Sequence, residues 1–248
     1  MAIALRYAAR SDVGLVRAVN QDSGYAGPHL LVVADGMGGH AAGDVASSIA
    51  IGEMVSLDGD SHGADDALDL LAEALRTANN ELREAMKHQP ELQGMGTTVT
   101  ALLRAGNKIA LAHIGDSRAY LLRDGTFTQI THDHSFVQSL IDEGRITQEE
   151  AQDHPQRSLV TRVLTGQHGD EPDLNIREAR VGDRYLICSD GLSGFVAGDT
   201  IQEVLELALP PGPAADRTGG RGRRGRAQDH GHPRHPGHAR GEGGGAVP

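Results

Sequence analysis

The amino-acid sequence predicts an α+β domain in which helices are layered on mostly antiparallel sheets. Three observations lead to this fold class: short aliphatic segments typical of strands lie on both sides of a helical region, two of their connections are tight-turn dipeptides, and one long segment has helical periodicity. Strands followed by helices and then by strands again favour this class over a doubly wound β-α-β fold, in which strands and helices alternate.

Seven segments are short and rich in β-branched or aliphatic residues, and we predict a strand at each of them. Gly106-Asn107 and Asp124-Gly125 separate two pairs of these segments, and both dipeptides favour the primed two-residue turns of antiparallel hairpins. The predicted strands are Leu30–Ala34, Thr98–Leu103, Lys108–His113, Arg118–Arg123, Thr126–Ile130, Leu174–Ala179 and Arg184–Ser189.

Helices are predicted from apolar stripes and from one capping pattern. Apolar residues recur at steps of three and four between Leu68 and Met86, which is the stripe of a long helix packed on one side. Thr147 and Glu150 have the spacing of a capping box, which indicates a helix start. The predicted helices cover 41–56, 64–88, 135–143, 147–152 and 199–208.

Composition and charge restrict the function classes. The chain has 248 residues, 38% hydrophobic and only 3% aromatic, so its core must be aliphatic and base stacking is an improbable role. A net charge of −11 argues against nucleic-acid binding by the folded domain and favours a cationic ligand. Cys188 is the single cysteine, and the sequence contains neither a signal peptide nor a run of ~20 apolar residues. We therefore expect a cytoplasmic chain without a membrane segment.

Residues 210–248 differ in composition from the rest of the chain. They contain 7 Arg, 11 Gly and 6 Pro, and Val247 is their only large aliphatic residue. Such a segment buries too little apolar surface to offset its ordering entropy. The sequence therefore predicts one folded domain over residues 1–209 and a disordered tail over residues 210–248.

Four aspartates lie beside small residues, and three of them follow a predicted strand: Asp22, Asp35, Asp116 and Asp190. Each Asp taken alone is explained by a turn, because Asp and Gly are common turn formers. Strand ends that converge in a sheet would instead bring the carboxylates to one place, where a hard cation is needed to offset their repulsion. Carboxylates, a backbone carbonyl and water suit Mg²⁺ or Mn²⁺, and the chain lacks a Cys/His cluster for zinc.

An ordered set of motifs resembles the metal-dependent protein Ser/Thr phosphatases of the PPM or PP2C family, in their bacterial branch. The resemblance runs from about Gly14 to Leu209 and is strongest to actinobacterial members that oppose membrane Ser/Thr kinases. The motifs are R-x-x-N-x-D at residues 17–22, DGMGGH at 35–40, GMGTT at 94–98, GDSRAYLLRDG at 115–125 and SDGL at 189–192.

The resemblance implies a fold and a metal centre. The fold would be a four-layer αββα sandwich of two mostly antiparallel sheets, with the metals between them at one end. Two Mn²⁺ or Mg²⁺ ions, with a third in bacterial members, would activate a water for attack on phosphorus. The implied metal-site residues are Asp35 as a bridge, the Gly36 carbonyl, Asp190 at the second ion, Asp22 through a bound water and Asp116 at the third ion.

Two further residues have implied catalytic roles. Arg17 matches the arginine that binds the phosphoryl group, and its alternative is a surface salt bridge. His40 is the nearest candidate to protonate the leaving alkoxide, because Met37 stands where some members have a histidine. Two alternatives remain open: metal-bound water supplies that proton, or His40 is only a helix N-terminal residue. His134 is interpreted as a turn or packing residue, and residues 136–170 resemble the family's mobile flap.

The C-terminus departs from the family pattern. Asp229 lies at about the right distance after Asp190 to complete the second metal site, with His230 where the family has Asn. The residues after His230 have neither alternation nor aliphatic content, so they cannot form the final strand of the family. We therefore hypothesise a reading-frame slip after about Leu209, which would remove that strand.

Three functions follow as hypotheses. The first is an active phosphatase, a monomer acting on phosphorylated proteins that include Ser/Thr kinases. The second is a catalytically impaired phosphatase-like domain that binds phosphoproteins. The third is binding of nucleic acid or metal by the Arg, Gly and His of the tail.

Overall fold

The computed structural model describes residues 3–14, 19–39, 42–59, 62–207 and 209–219. Within this part of the chain the strands are β1 (Asp22–Ala26), β2 (Leu30–Met37), β3 (Gly96–Thr97), β4 (Val99–Ala105), β5 (Lys108–Ile114), β6 (Arg118–Arg123), β7 (Thr126–Gln129), β8 (Asp173–Glu178) and β9 (Arg184–Cys188). The helices are α1 (Ala42–Val55), α2 (Ala67–His88), α3 (Phe136–Asp142), α4 (Gln148–Gln152), α5 (Asp190–Ser193) and α6 (Gly198–Glu206), with 3₁₀ turns at Ser56–Asp58 and Pro90–Leu92.

The strands form two antiparallel sheets. The larger sheet has the order β1-β2-β4-β5-β8, with β3 paired to β2, and the smaller sheet has the order β7-β6-β9. Both predicted hairpins are confirmed. Ala105 pairs with Lys108 across a turn with a positive φ at Gly106, and Arg123 pairs with Thr126 across a turn with positive φ at both Asp124 and Gly125.

The two sheets and their helices make four layers, which confirms the predicted α+β sandwich. α1 and α2 cover one face of the larger sheet, where Leu71, Leu75 and Leu82 of α2 are buried. A second apolar cluster, including Leu102, Leu111 and Ala119, fills the space between the sheets. α6 covers the outer face of the smaller sheet through residues such as Ile201 and Leu205.

The predicted elements are found with small shifts at their ends, and several short elements were not predicted. All seven predicted strands and all five predicted helices are present. The missed elements include β1, β3 and the single turn α5, which are short and carry no apolar periodicity. The capping box before α4 is confirmed, since Thr147 and Glu150 each bond the other's backbone N–H.

The placement of two aspartates was also wrong in detail. Asp22 is the first residue of β1 and not part of a turn, and Asp35 lies inside β2, which continues three residues past the predicted strand end at Ala34. Both differences have the same cause: β1 pairs with β2 along its whole length, so Asp22 lies opposite Asp35 in the ladder.

The described part of the chain after α6 is short. Residues 211–219 are helical, so the disordered tail predicted from residue 210 is wrong for this stretch, where Ala214 and Thr218 are buried and Asp216 pairs with Arg10. β9 is the last strand of the smaller sheet among the described residues. Most of the tail predicted over 210–248, together with the segment in which the missing final strand was expected, lies outside the described residues. Among the described helices, none combines the length and apolar character that crossing a membrane requires.

Candidate metal centre

Four carboxylates lie near one another at one end of the sandwich. Asp22 and Asp35 face each other across β1 and β2 of the larger sheet. Asp116 lies in the connection from β5 of the larger sheet to β6 of the smaller sheet, and Asp190 begins α5, which follows β9 of the smaller sheet after Ser189. Ser189 joins the two sides, because its hydroxyl donates to Asp22 Oδ2 at 2.7 Å. The structure thus brings together the four aspartates that the sequence singled out.

The electrostatics of this pocket oppose ionisation. Burial, followed by the charges of Asp22 and Asp190, raises the pKa of Asp35 to about 9, and Asp116 adds to the effect. Burial and the charge of Asp190 likewise raise the pKa of Asp116 to about 7. Both shifts reflect carboxylates that are removed from water and close to one another. Such a cluster becomes favourable as a set of anions only when a cation offsets their charge.

The donor set fits a hard divalent cation. It consists of carboxylate oxygens, with the main chain of Gly36 directly after Asp35. Among the described residues, no three His, Cys, Asp or Glu side chains converge closely enough to enclose an ion by themselves. Mg²⁺ and Mn²⁺ sites tolerate this openness, because these ions keep several waters and use carbonyl oxygens as ligands. A zinc site of Cys and His would not.

Gly36 is required by the close approach of α1 to β2. A Cβ atom on Gly36 would lie 1.8 Å from the carbonyl oxygen of Gly43 and 2.7 Å from that of Gln21. The Gly36 N–H donates to the Gln21 carbonyl at 3.1 Å, which holds the residue before β1 against β2. The glycine therefore lets the start of α1 and the residue before β1 pack directly against the main chain of β2.

His134 is a buried packing residue, as the sequence interpretation held, and its hydrogen bonds join three segments of the chain. The side chain is 6% exposed, its Nδ1 accepts a hydrogen bond from Gly115 N–H at 3.0 Å, and its own backbone N–H donates to the Gly115 carbonyl. On the other side, its Nε2 contacts Asp173 and Arg162, each at 3.0 Å. His134 thus fixes the residue before Asp116 and connects it to residues 136–170. A histidine after a strand carries no signal of this in the sequence.

Arg118 and Asp133 form a second feature that sequence reasoning missed. The Arg118 guanidinium binds Asp133 through Nε and Nη2, at 2.9 and 2.6 Å to Oδ2, and the Asp133 side chain is 5% exposed. The pair lies beside Asp116, whose pKa the charge of Asp133 raises in addition to burial and the charge of Asp190. A bidentate pair with a buried carboxylate holds the start of β6 in place.

Three of the predicted site residues lie outside the described residues. They are the proposed phosphate-binding Arg17, the candidate acid His40 and the proposed metal ligand Asp229.

Similar proteins include one that was solved with two manganese ions, in agreement with a cation site at the four aspartates. The profile of the family described as protein phosphatase 2C matches residues 16–212. The serine/threonine protein phosphatase PstP of Mycobacterium tuberculosis is 60% identical over 205 residues, which are 83% of this chain and 40% of that protein. This chain therefore spans less than half the length of that relative.

Two solved structures share the fold at high sequence identity. The crystal structure of the Mycobacterium tuberculosis serine/threonine phosphatase PstP/Ppp has a TM-score of 0.87 at 56% identity and covers 90% of this chain and 94% of its own. The catalytic domain of PstP in complex with two manganese ions has a TM-score of 0.84 at 55% identity, covering 90% and 93%.

Proposed function

Because the chain belongs to the protein phosphatase 2C family, we propose that it hydrolyses phosphoserine and phosphothreonine in proteins with the help of paired Mn²⁺ or Mg²⁺ ions. The observation that carries the proposal is the convergence of Asp22, Asp35, Asp116 and Asp190, whose geometry raises the pKa of Asp35 to about 9 by burial and by the neighbouring carboxylates. The relative that was solved with two manganese ions supports the same cation class.

The aspartates are proposed to have the roles that the family resemblance implies. Asp35, which faces Asp22 across the ladder and feels the charges of Asp190 and Asp116, is proposed as the carboxylate that two ions would share. The Gly36 carbonyl and Asp190 would each hold one ion, Asp22 would orient a bound water, and Asp116 would hold a third ion. Asp229 remains a proposed ligand of the second ion. The bound ions would lower the pKa of a water so that it is activated for attack on phosphorus, and their charge would stabilise the phosphoryl oxygens.

The remaining chemistry is assigned to side chains outside the aspartate cluster. Arg17 is proposed to bind the phosphoryl oxygens, since a planar guanidinium matches their geometry and keeps its charge at every working pH. His40 or a bound water is proposed to return a proton to the leaving serine or threonine oxygen. Cys188 takes no part, because burial raises the pKa of its thiol to about 12 and keeps it protonated.

Substrates, partners and location are proposed more broadly. The net charge of −11 and the small aromatic content fit phosphoproteins better than nucleic acids as substrates of the folded domain. Ser/Thr kinases are proposed among these phosphoproteins, because the sequence motifs resemble those of kinase-opposing actinobacterial members of the family. A monomer in the reducing cytoplasm is consistent with the single cysteine, which is buried and unpaired.

The test is release of phosphate from a phosphothreonine peptide by the full chain. We expect release with Mn²⁺, none with excess EDTA, and a loss of at least about 100-fold for Asp35→Asn, because the shared ligand of both ions is then neutral. Circular dichroism of each variant checks that the fold is retained. If a folded, Mn²⁺-saturated wild-type chain releases no phosphate, the proposal is wrong.

A catalytically impaired phosphatase-like domain is the second candidate, and one observation favours it. The residues after His230 have neither alternation nor aliphatic content, whereas the family resemblance leads to a further strand there. A version of the chain whose tail is restored to the alternative reading frame separates the two candidates. Equal activity of both versions supports the first candidate, whereas activity of the restored version alone, with peptide binding by both, supports the second.

A further inference from the structure

The backbone ladder between β2 and the β3-β4 segment is irregular at one residue pair. The pairs Gly36↔Thr97 and Val33↔Thr100 on either side place Thr98 opposite Asp35. Thr98 N–H donates to the Asp35 carbonyl at 2.9 Å, as a regular ladder requires. The Asp35 N–H, however, donates to the Thr98 side-chain Oγ1 at 3.0 Å. A threonine hydroxyl thus takes the place of a backbone carbonyl as the acceptor for the N–H of Asp35, the residue that carries the central carboxylate of the proposed metal centre.

The neighbouring threonine completes this arrangement. Thr97 Oγ1 lies 3.1 Å from the Asp35 carbonyl and 2.9 Å from the Thr98 carbonyl, so its hydroxyl serves the acceptors that the irregular ladder exposes. Both threonine side chains are buried, at 0% and 1% exposure. Water therefore cannot replace these bonds, and the backbone of Asp35 is held by side chains and not only by strand pairing.

The same hydroxyl reaches the segment that carries Asp116. Thr98 Oγ1 lies 2.8 Å from Ser117 Oγ, and Ser117 is fully buried. Because Thr98 Oγ1 accepts from Asp35 N–H, its own proton is free to go to Ser117. Gly115 packs on the other side of this threonine: a Cβ there would lie 2.5 Å from Thr98 Cβ, and Gly115 has a φ of +116°.

We propose that Thr98 is a positioning residue that sets the spacing between Asp35 and Asp116, and thereby the metal affinity of the centre. The proposal rests on the metal centre of the proposed function. Asp35 lies in β2 of the larger sheet, and Asp116 belongs to the connection into the smaller sheet. Thr98 bonds to the main chain of Asp35 and to the residue after Asp116. Carboxylates that bind the same group of ions repel each other when they are ionised, so a preformed spacing requires a bond that resists the repulsion.

Supporting residues of this kind commonly change metal affinity by 10–100-fold when they are removed. Thr98→Val deletes the hydroxyl while it keeps the shape of the side chain, and Thr98→Ser keeps the hydroxyl. We expect Thr98→Val to raise the dissociation constant for Mn²⁺ by about 10–100-fold, and Thr98→Ser to stay within about 3-fold of wild type. Ser117→Ala removes only the hydroxyl that bonds to Thr98, so we expect the dissociation constant for Mn²⁺ to rise by about 3–10-fold.

Thr131 offers a matched control in the same sheet system. Its Oγ1 accepts a backbone hydrogen bond from Ala119 N–H at 3.0 Å, and the residue is 9% exposed, yet it bonds to neither Asp35 nor Ser117. Thr131→Val therefore removes the same kind of bond. We expect it to lower the melting temperature of the metal-free chain about as much as Thr98→Val does, while its Mn²⁺ affinity stays within about 3-fold of wild type.

The experiment is calorimetric titration of the full chain with Mn²⁺, together with thermal unfolding in EDTA for every variant. An unchanged Mn²⁺ affinity of Thr98→Val, or an equal loss of Mn²⁺ affinity in Thr131→Val, would overturn the inference. Mn²⁺ binding by the wild type would in that case leave the proposed function standing. If Thr98→Val does not fold, an unchanged affinity of Ser117→Ala overturns it instead. A wild-type chain that takes up no Mn²⁺ would overturn the proposed function and this inference together.

Discussion

Replacing Asp35 with Asn should stabilise the metal-free protein while it removes metal binding. The pKa of Asp35 is raised to about 9 by burial and by Asp22 and Asp190, whereas an aspartate in an unfolded chain titrates near 3.9. At pH 7 the folded chain must therefore keep a proton that the unfolded chain has released. At 1.36 kcal/mol per pH unit, this sets a ceiling of about 4 kcal/mol on the cost.

We expect Asn to recover about 1–3 kcal/mol of this cost, because Asp35 keeps some contact with solvent. The gain has a definite pH window. When folding raises the pKa of a carboxyl group, the folded protein loses stability as the pH rises above the pKa of that group in the unfolded chain. The gain from Asp35→Asn should therefore be absent near pH 4 and grow towards pH 9. Removal of function together with a gain in stability is the pattern of a site that the protein holds under strain.

The assay is urea unfolding of the full chain in EDTA across this pH range, with Mn²⁺ titration of the folded variant. Asp58→Asn is the matched control, because the Asp58 carboxylate accepts hydrogen bonds from Tyr25 Oη, His29 N–H and Leu30 N–H at 2.7–2.8 Å. The same change should there cost about 1–3 kcal/mol at pH 7. If Asp35→Asn also lowers the stability of the metal-free chain at pH 7, the electrostatic reasoning is wrong.

Three further predictions concern single residues. Burial lowers the pKa of His113 to about 4, so between about pH 6.5 and pH 4 only the unfolded chain takes up this proton. As the pH falls through this range, the free energy of unfolding of the wild type should decrease by up to about 3 kcal/mol more than that of His113→Gln. Equal pH slopes of the two proteins in urea unfolding would contradict this. Gly36→Ala should cost about 3 kcal/mol or more, because its Cβ meets the Gly43 carbonyl oxygen at 1.8 Å, whereas Gly39→Ala, with open space around it, should cost under about 1 kcal/mol in the same thermal-unfolding measurement. Burial raises the pKa of the Cys188 thiol to about 12, so alkylation by iodoacetamide at about pH 8 should be at least about 100-fold slower in the native chain than in urea, and a similar rate in both would show that the thiol is accessible.

The strands and helices with strong local patterns could be predicted from the sequence. The Asp124-Gly125 dipeptide predicted a two-residue hairpin, and both residues adopt the positive φ that such a turn needs. The stripe from Leu68 to Met86 predicted α2, whose buried face packs on the larger sheet. These elements follow from interactions between residues that are near one another in the chain, so their sequence carries the information.

β1 shows the limit of that reasoning. Its five residues, DSGYA, have no run of apolar or β-branched residues, and Gly24 weakens any strand pattern. The segment is a strand because it pairs with β2 over its full length, and Ser23 bonds to the hydroxyl of Ser47 in α1. Tertiary partners override local propensity here, and nothing in the segment itself indicates them.

The site was predictable in its residue types but not in its supporting contacts. Four aspartates beside small residues, in motifs that resemble a metal-dependent phosphatase, indicated which carboxylates to compare. Thr98 and Ser117 gave no comparable signal, because hydroxyl residues near strands are common and only their distances show a bond of 2.8 Å between them. His134 is a similar case, since its contact with Gly115 joins residues from different turns.

By itself, the sequence determined the periodicities, the turns and the kinds of oxygen donor that a cation could use. Only the tertiary structure decided that these donors share a pocket: Ser189 and Asp22, 167 residues apart in the chain, are joined by a hydrogen bond of 2.7 Å. The physical reason is that backbone conformation responds to neighbours along the chain, whereas the separation of two carboxylates depends on how two whole sheets pack. The raised pKa of Asp35, caused by burial and by its neighbouring carboxylates, is a property of that packing.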